Sequence, residues 1–296
     1  MKKEYIYAAT SIFLWSTTAT VTKLLLGSLN SMQILTISSL VAFIFLLILN
    51  IFKGTIKELK TYKIKDYLQI SLIGILGTFL YKLFLYLGIN KMLASQAFII
   101  NYTWPIMTVI FACIILKEKM TLKKIIAIIL SFIGVIIVTS NGNTIGLKYN
   151  LTGTLYCILG SISYGLFSVL NKYKNYNKYL SMMLYYLVSF IISIIYIIFT
   201  KDFFEVSTIQ ILGLTWIGVF TSAIAFTTWA LALEKGDTIK ISNLAYITPF
   251  ISLIWTFLLL NEPFSIHSIL GLILIILGIF IQIKEQSKKV LKTNIK

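Results

Sequence analysis

The sequence predicts an all-α polytopic membrane protein with ten transmembrane helices. Three observations predict this fold class: an excess of apolar residues, ten apolar windows of spanning length, and an uneven distribution of lysine. Of the 296 residues, 58% are hydrophobic and only 12% are charged, whereas a soluble domain is about half apolar and a quarter charged. One water-soluble core cannot hide such an excess, so we expect the lipid bilayer to receive it.

Each predicted span is an apolar window long enough to cross the hydrocarbon core. The first half of the chain holds windows at 5–26, 31–52, 67–88, 94–116 and 122–140. The second half holds windows at 151–171, 179–199, 208–233, 238–260 and 265–283. The first window follows Met1 and two lysines as a signal peptide would, but it is long for a signal and has a counterpart in the second half.

The lysines predict the orientation of the spans, because cytoplasmic loops are enriched in positive charge. All 26 basic residues are lysines. If the N-terminus is cytoplasmic, the inside segments carry 21 of them and the outside loops carry 3. We therefore expect both termini in the cytoplasm. The charge serves topology, so no nucleic-acid partner is expected.

The two halves of the chain share residues at a nearly constant offset. A shift of 144 residues superposes Tyr102 and Pro105 on Tyr246 and Pro249, and it also superposes Glu118 on Glu262. Near the start the shift is 149, which pairs Trp15 with Tyr164 and Lys23 with Lys172. Five spans per half is an odd number, so the second copy must be inverted in the membrane. The sequence predicts two inverted five-helix repeats, 1–145 and 146–296, around a central cavity, an arrangement typical of transporters.

These repeated features resemble the ten-helix, EamA-type drug/metabolite transporter superfamily over nearly the whole chain. Two features carry the resemblance. The first is an aromatic residue followed by a lysine near the start of each half, Trp15 with Lys23 and Tyr164 with Lys172. The second is a Leu-x-Glu motif at the ends of the fourth and ninth spans, Leu116–Glu118 and Leu260–Glu262. Within it, the stretch 101–106 (Asn-Tyr-Thr-Trp-Pro-Ile) is similar to the aromatic amino acid exporters, as is 14–17. This implies a basket of helices that moves amino acids or similar metabolites outward. Lys82 departs from that subgroup, where an uncharged residue is expected.

Polar and aromatic residues within the spans are the candidates for a binding cavity, because polar groups in a membrane usually face protein or water. Aromatic rings offer area, and amides and hydroxyls orient polar groups. The predicted substrate-binding residues are Trp15, Thr78, Tyr81, Lys82, Tyr86, Asn101, Trp104, Tyr164, Ser222, Trp229 and Tyr246. Interfacial anchoring is the alternative for the aromatic members. Pro105 and Pro249 leave backbone carbonyls free and are candidate hinges, with a static kink as the alternative. Glu118 and Glu262 are interpreted as N-terminal residues of the fifth and tenth helices, with gating or ion coupling as the alternative.

Lys82 is the most informative of these residues, because a lysine at the bilayer centre costs roughly 2.5–3.5 kcal/mol on insertion scales. The predicted spans contain no Asp or Glu to pair with it. Three roles stay open: contact with a substrate carboxylate, proton coupling, or a side chain that snorkels to the helix end.

The leading functional hypothesis is a secondary transporter that exports amino acids, aromatic or other, or related small metabolites by alternating access. The alternatives are a permease for another metabolite or drug, and a non-transporting membrane receptor. An enzyme is not expected, because the predicted spans contain no Asp or Glu and one isolated histidine, His267. No phosphate-binding loop, cofactor or metal site is predicted, and Cys113 and Cys157 are expected to be free and buried. We expect a bacterial cytoplasmic membrane, the lipid bilayer and a small-molecule substrate as partners, and a monomer.

The topology is directly testable with reporter fusions. Fusions after Lys60 and Lys296 should report the cytoplasm, and a fusion after Asn143 should report the outside, because the lysine-rich segments stay inside. An active periplasmic reporter at Lys296 would contradict an even number of spans.

Overall fold

The computed structural model describes residues 3–115, 117, 120–140, 151–174, 176–235, 244–263 and 265–293, and these residues are helical apart from short connections. The predicted loop 141–150, Glu118 and the backbone of 236–243 lie outside the described residues. Within them the structure contains no strand. The all-α prediction is therefore confirmed for the described chain.

The helices of the first half follow the five predicted windows. They are α1 (Lys3–Ser16), α2 (Thr18–Leu25), α3 (Ser31–Phe52), α4 (Ile64–Gly74), α5 (Tyr81–Lys91), α6 (Ala94–Asn101), α7 (Trp104–Ile115) and α8 (Leu122–Ser140). A turn at Thr17 separates α1 from α2, and Tyr102 and Thr103 separate α6 from α7. Between α4 and α5 the chain continues as a π-helix, Ile75–Leu80, which we call the first π segment.

The helices of the second half follow the later windows. They are α9 (Leu151–Tyr173), α10 (Lys178–Thr200), α11 (Thr208–Thr215), α12 (Ala225–Lys235), α13 (Thr248–Leu260) and α14 (Ile266–Thr293). The second π segment, Trp216–Ile224, joins α11 to α12, and a 3₁₀ turn, Ala245–Ile247, precedes α13.

Length and apolar composition suit six of the described helical stretches to crossing a membrane. These are Ser31–Phe52, Ile64–Lys91, Ala94–Ile115, Leu151–Asn171, Lys178–Thr200 and Thr208–Ala232. Shorter apolar helices occupy Ile128–Val138, Thr248–Leu260 and Ile266–Gly278. Many large apolar side chains on these helices are exposed, among them Ile48, Phe199 and Leu259, as expected for a surface that faces lipid.

Helices from the two halves pack against each other throughout the bundle. The pairs include α3 with α10, α5 and α7 with α9, α1 with α12, and α8 with α14. The α8–α14 contact is close because Gly134 and Gly271 face each other. A Cβ on Gly134 would lie 2.6 Å from the carbonyl oxygen of Gly271. Small residues that let backbones approach are typical of helix contacts in membranes.

A pair of charged side chains fixes the junction between the third and fourth windows. Lys23 Nζ donates to the carbonyl oxygens of Ile89 at 2.8 Å and Met92 at 2.9 Å, so a cation neutralises the C-terminal end of α5. Glu262 is only 7% exposed. Its carboxylate accepts from the backbone N–H of Ala94 at 2.7 Å and from the N–H and hydroxyl of Ser95 at 3.0 and 2.6 Å.

The helix that Glu262 contacts is not the one that its position in the sequence indicates. Its neighbour in sequence is α14, but its carboxylate satisfies the free N–H groups at the start of α6. The interaction is the expected one between a carboxylate and a helix N-terminus, made across the fold. Glu262 and Lys23 thus tie the α2, α5–α6 and α13–α14 segments together.

Glu262→Gln should lower the stability of the protein, because the new amide N–H₂ would face backbone donors that the carboxylate now satisfies. We expect a loss of about 1–3 kcal/mol, seen as a lower thermal unfolding midpoint of the purified protein in detergent. Glu205→Gln, at an exposed position, is the matched control. Equal midpoints for the two variants would contradict the capping role.

Candidate functional site

A cavity lies at the centre of the bundle, between helices of both halves. Its free volume is about 30 Å³, room for roughly two water molecules, so a larger solute would require the walls to move apart. Eight of its twelve lining residues are aromatic. The lining consists of Trp15, Thr18, Tyr81, Lys82, Leu85, Tyr86, Phe98, Tyr102, Trp104, Tyr164, Thr221 and Phe226.

The ring of Tyr164, on α9, is the centre of the aromatic lining. Its centroid lies 4.6 Å from that of Tyr81, 5.0 Å from that of Trp104 and 5.9 Å from that of Phe226. Two of these rings come from the first half of the chain and two from the second. Their tilted and edge-to-face contacts are the arrangements that aromatic pairs favour. The rings fill much of the space between them, so a bulky solute requires them to move apart.

Trp15 forms a second wall of the cavity. Its ring packs 5.3 Å from both Phe226 and Trp229, measured between centroids. The indole Nε1 of Trp15 and the hydroxyl of Thr18 are buried, and neither has a hydrogen-bond partner among the described residues. Since a buried donor without a partner is costly, both groups are candidates for contact with a solute or water.

Lys82 brings the one charged side chain to the lining. It is 4% exposed, and its Nζ donates a hydrogen bond to the hydroxyl of Ser222 in the second π segment. The ammonium also lies 5.1 Å from the ring centroid of Tyr186 and 5.9 Å from that of Phe226, within cation–π range. It is therefore held inside the bundle and does not extend to a helix end.

The structure brings together most of the residues selected from the sequence. Six line the cavity directly: Trp15, Tyr81, Lys82, Tyr86, Trp104 and Tyr164. Three more lie directly behind the lining. Asn101 Nδ2 donates to the hydroxyl of Tyr81 at 3.2 Å, Ser222 contacts Lys82, and Trp229 packs on Trp15.

Two of the selected residues do not reach the lining in the described structure. Thr78, in the first π segment, points to α10, where its hydroxyl lies 2.6 Å from that of Ser189 and 3.0 Å from the carbonyl oxygen of Tyr185. Its contacts are those of helix packing. Tyr246 lies in the turn before α13, and its side chain is outside the described part of the chain.

The sequence-based selection omitted several lining residues: Thr18, Leu85, Phe98, Tyr102, Thr221 and Phe226. The spacing in the sequence could have identified two of them. Thr18 lies three residues after Trp15 in the first predicted span, and Leu85 lies three residues after Lys82 in the third, so each shares a helix face with a selected residue. Phe98 is apolar, so nothing in its residue type distinguishes it from a core position.

Both candidate hinge prolines lie in the first turn of a helix that restarts within a span. The α6 helix ends at Asn101, and α7 begins at Trp104, immediately before Pro105. Pro249 occupies the first turn of α13, after the turn Ala245–Ile247. Proline is tolerated there because the first-turn N–H groups have no partner in the helix. Each proline marks an interruption in its span.

The two π segments occupy related positions in the two halves. Thr78 in the first and Ser222 in the second are separated by 144 residues, the same offset that relates Pro105 to Pro249. Residues of the second segment, or next to it, reach the cavity or Lys82: Thr221, Ser222 and Phe226. Lys82 lies two residues after the end of the first, in the first turn of α5. Single-turn π-helices within α-helices are frequent at functional sites.

The described residues include no cluster of three or more groups that could hold a metal ion. The two cysteines are not joined in a disulfide; Cys157 is buried and Cys113 is partly exposed. The site consists of rings, hydroxyls, amides and one ammonium group, which is chemistry suited to binding a small molecule.

The fold is that of a helical membrane protein with an aromatic-lined central cavity, the class to which many transporters belong. The chain belongs to the EamA-like transporter family, whose model matches residues 2–140 and 151–283. It is therefore a multi-pass membrane protein that transports a small molecule.

The relatives agree with this assignment. An uncharacterized transporter of Clostridium kluyveri is 26% identical over 301 residues, which cover 97% of this chain and 95% of the relative. The uncharacterized transporter YyaM of Bacillus subtilis is 28% identical over 241 residues, covering 79% and 78%. A crystal structure of another protein has the same fold, with a TM-score of 0.68 at 17% identity over 94% of this chain and 96% of that one.

Thr78→Val separates packing from binding at the first π segment. Valine keeps the shape and removes a hydroxyl that bonds to α10, so we expect a loss of about 1 kcal/mol in stability and an unchanged KM for transport. Thr10→Val is the matched control, because the Thr10 hydroxyl bonds only to the carbonyl of Ile6 in its own helix. A raised KM with unchanged stability would instead place Thr78 in the binding site.

Proposed function

We propose that this protein is a secondary transporter that exports amino acids or related small metabolites through the central cavity by alternating access. The observation that carries the proposal is the cavity itself, in which rings from both halves surround one buried ammonium group. Aromatic rings with a few polar groups suit an amphipathic solute.

The proposed architecture is ten transmembrane helices in two inverted five-helix repeats, 1–145 and 146–296. Three observations support it. The family model matches the two halves as separate stretches. The π segments and the interrupting prolines recur at an offset of 144 residues, and helices of one half pack on helices of the other. Two halves of similar shape can exchange conformations and expose one site to either side of the membrane.

Alternating access requires contacts that break and segments that bend. In the proposed topology, with both termini in the cytoplasm of a bacterium, Glu262 and Lys23 join helix ends on the outer side of the membrane. The restarts at Pro105 and Pro249 are the proposed bending points, because the chain there already lacks part of its helical hydrogen bonding.

The proposed substrate class follows from the resemblance of residues 101–106 to aromatic amino acid exporters. Trp104 in this stretch lines the cavity against Tyr164, and Asn101 holds Tyr81 from behind. A permease for another small metabolite or a drug would use the same cavity, and a receptor would bind without transport. A panel of substrates in proteoliposomes, with flux and binding measured separately, decides among these functions.

Trp104→Ala tests the cavity directly. Removing the indole takes away a wall of the site, so we expect transport by reconstituted protein to fall about tenfold or more, since burial of a large side chain contributes roughly 1.5–3 kcal/mol. Trp255→Ala is the control, because Trp255 packs on Phe13 and bonds to Ser16 outside the cavity lining. Transport that is equal in the two variants at equal abundance would remove the cavity from the transport route.

A further inference from the structure

Every polar side chain of the cavity lining can donate a hydrogen bond, and the one charged group among them is positive. Lys82 contributes an ammonium group with three N–H donors, and the described structure engages it with one neutral hydroxyl and two ring faces. No carboxylate faces it, because the lining contains no Asp or Glu. A buried positive charge that contacts only neutral groups is unfavourable, and an anionic ligand would stabilise it.

Two further donors belong to the same cavity. The indole N–H of Trp15 and the hydroxyl of Thr18 are both buried and lack partners among the described residues, and both residues line the cavity with Lys82. An oxyanion with two oxygens can accept several hydrogen bonds, so one carboxylate could satisfy donors from more than one of these side chains.

A substrate ammonium finds no carboxylate among the described lining residues, although the hydroxyl oxygens there can accept hydrogen bonds from it. The one unpartnered amide acceptor near the site is Asn101 Oδ1, and Asn101 is buried behind Tyr81 and outside the lining. Ring faces can hold a cation, but Lys82 already lies over Phe226 and would repel a second positive charge there. A zwitterionic solute therefore finds a charged partner for its carboxylate only.

We propose that Lys82, Trp15 and Thr18 form a carboxylate subsite, and that the preferred substrate is an organic acid with an aromatic or similarly apolar body and no required α-ammonium group. Ser222 is a positioning residue, since its hydroxyl holds the Lys82 ammonium at the cavity and donates in turn to the carbonyl of Ile217 at 2.6 Å. This inference rests on the proposed transport function and, of its two substrate classes, favours related metabolites that are organic acids over amino acids.

Four compounds with one phenyl body separate the contributions of the two charges. They are 3-phenylpropanoate, phenylalanine, 2-phenylethylamine and 3-phenylpropan-1-ol. Binding to the purified full-length protein in detergent can be followed by tryptophan fluorescence, and transport by uptake or counterflow in proteoliposomes. We expect 3-phenylpropanoate to bind most tightly, phenylalanine and the alcohol more weakly, and the amine most weakly.

The matched variants are Lys82→Met and Lys91→Met, which make the same chemical change inside the cavity and at an exposed helix end. Lys82→Met should weaken 3-phenylpropanoate about tenfold or more, as the loss of a charge-assisted hydrogen bond predicts, and leave the alcohol nearly unchanged. Lys91→Met should behave as wild type with all four compounds. If Lys82→Met does not fold, the wild-type ranking of acid against alcohol and amine decides the question.

Several results would overturn the proposal. An equal loss for acid and alcohol in Lys82→Met would show that the lysine acts through packing or coupling. Phenylalanine binding at least tenfold more tightly than 3-phenylpropanoate would show that the ammonium is recognised. Failure of the wild-type protein to bind 3-phenylpropanoate would also contradict the carboxylate subsite. If the protein still transports other solutes in a Trp104-dependent way, only the carboxylate subsite fails. If no compound is transported, the proposed function fails with it.

Discussion

A chain that crosses a bilayer repeatedly has to satisfy its polar groups from within, because the hydrocarbon core offers no water. This chain carries many Ser, Thr, Asn and Gln residues in its apolar windows, and most of their described side chains solve the problem locally. The hydroxyls of Thr36 and Thr200, for example, donate to carbonyls four residues earlier in their own helices. Such hydroxyls need no hydrogen-bond partner on another helix, so they give little information about function.

Other polar groups reach across the bundle, and these define how the two halves fit together. Ser11 donates to the carbonyl of Ala225, and Asn50 donates to that of Tyr179. Each contact joins helices that are more than a hundred residues apart in sequence. In the cavity, Trp15 and Thr18 have buried polar groups without a partner among the described residues and Lys82 has only neutral neighbours, while further unpartnered hydroxyls, such as those of Ser39 and Ser252, lie outside the lining. Under the proposed function, a bound solute would offset the cost of the polar groups that face the cavity.

The same region carries the irregular backbone of the molecule. The π segments and the break before Trp104 occur in spans whose residues line the cavity, and the restart at Pro249 occurs in a helix that packs against α1, α2 and α6. Irregular backbone within a membrane is tolerated where it is buried in protein or lines a cavity. Glu262 shows the complementary case, because its carboxylate lies at a helix end, where the N–H groups of α6 compensate its charge.

The sequence by itself determined where the helices lie and that the chain belongs in a membrane, because both depend on the length and polarity of consecutive residues. The window 31–52 coincides with helix Ser31–Phe52, and six selected residues, from Trp15 to Tyr164, line the cavity. Tertiary structure alone decided that Thr78 packs on α10, that Glu262 caps α6, and that Lys82 meets Ser222 from 140 residues away. Those outcomes depend on the rotation of each helix about its axis and on close contacts such as Gly134 with Gly271. A one-dimensional pattern of polarity records neither, because lipid-facing and core-facing positions of a membrane helix are both apolar.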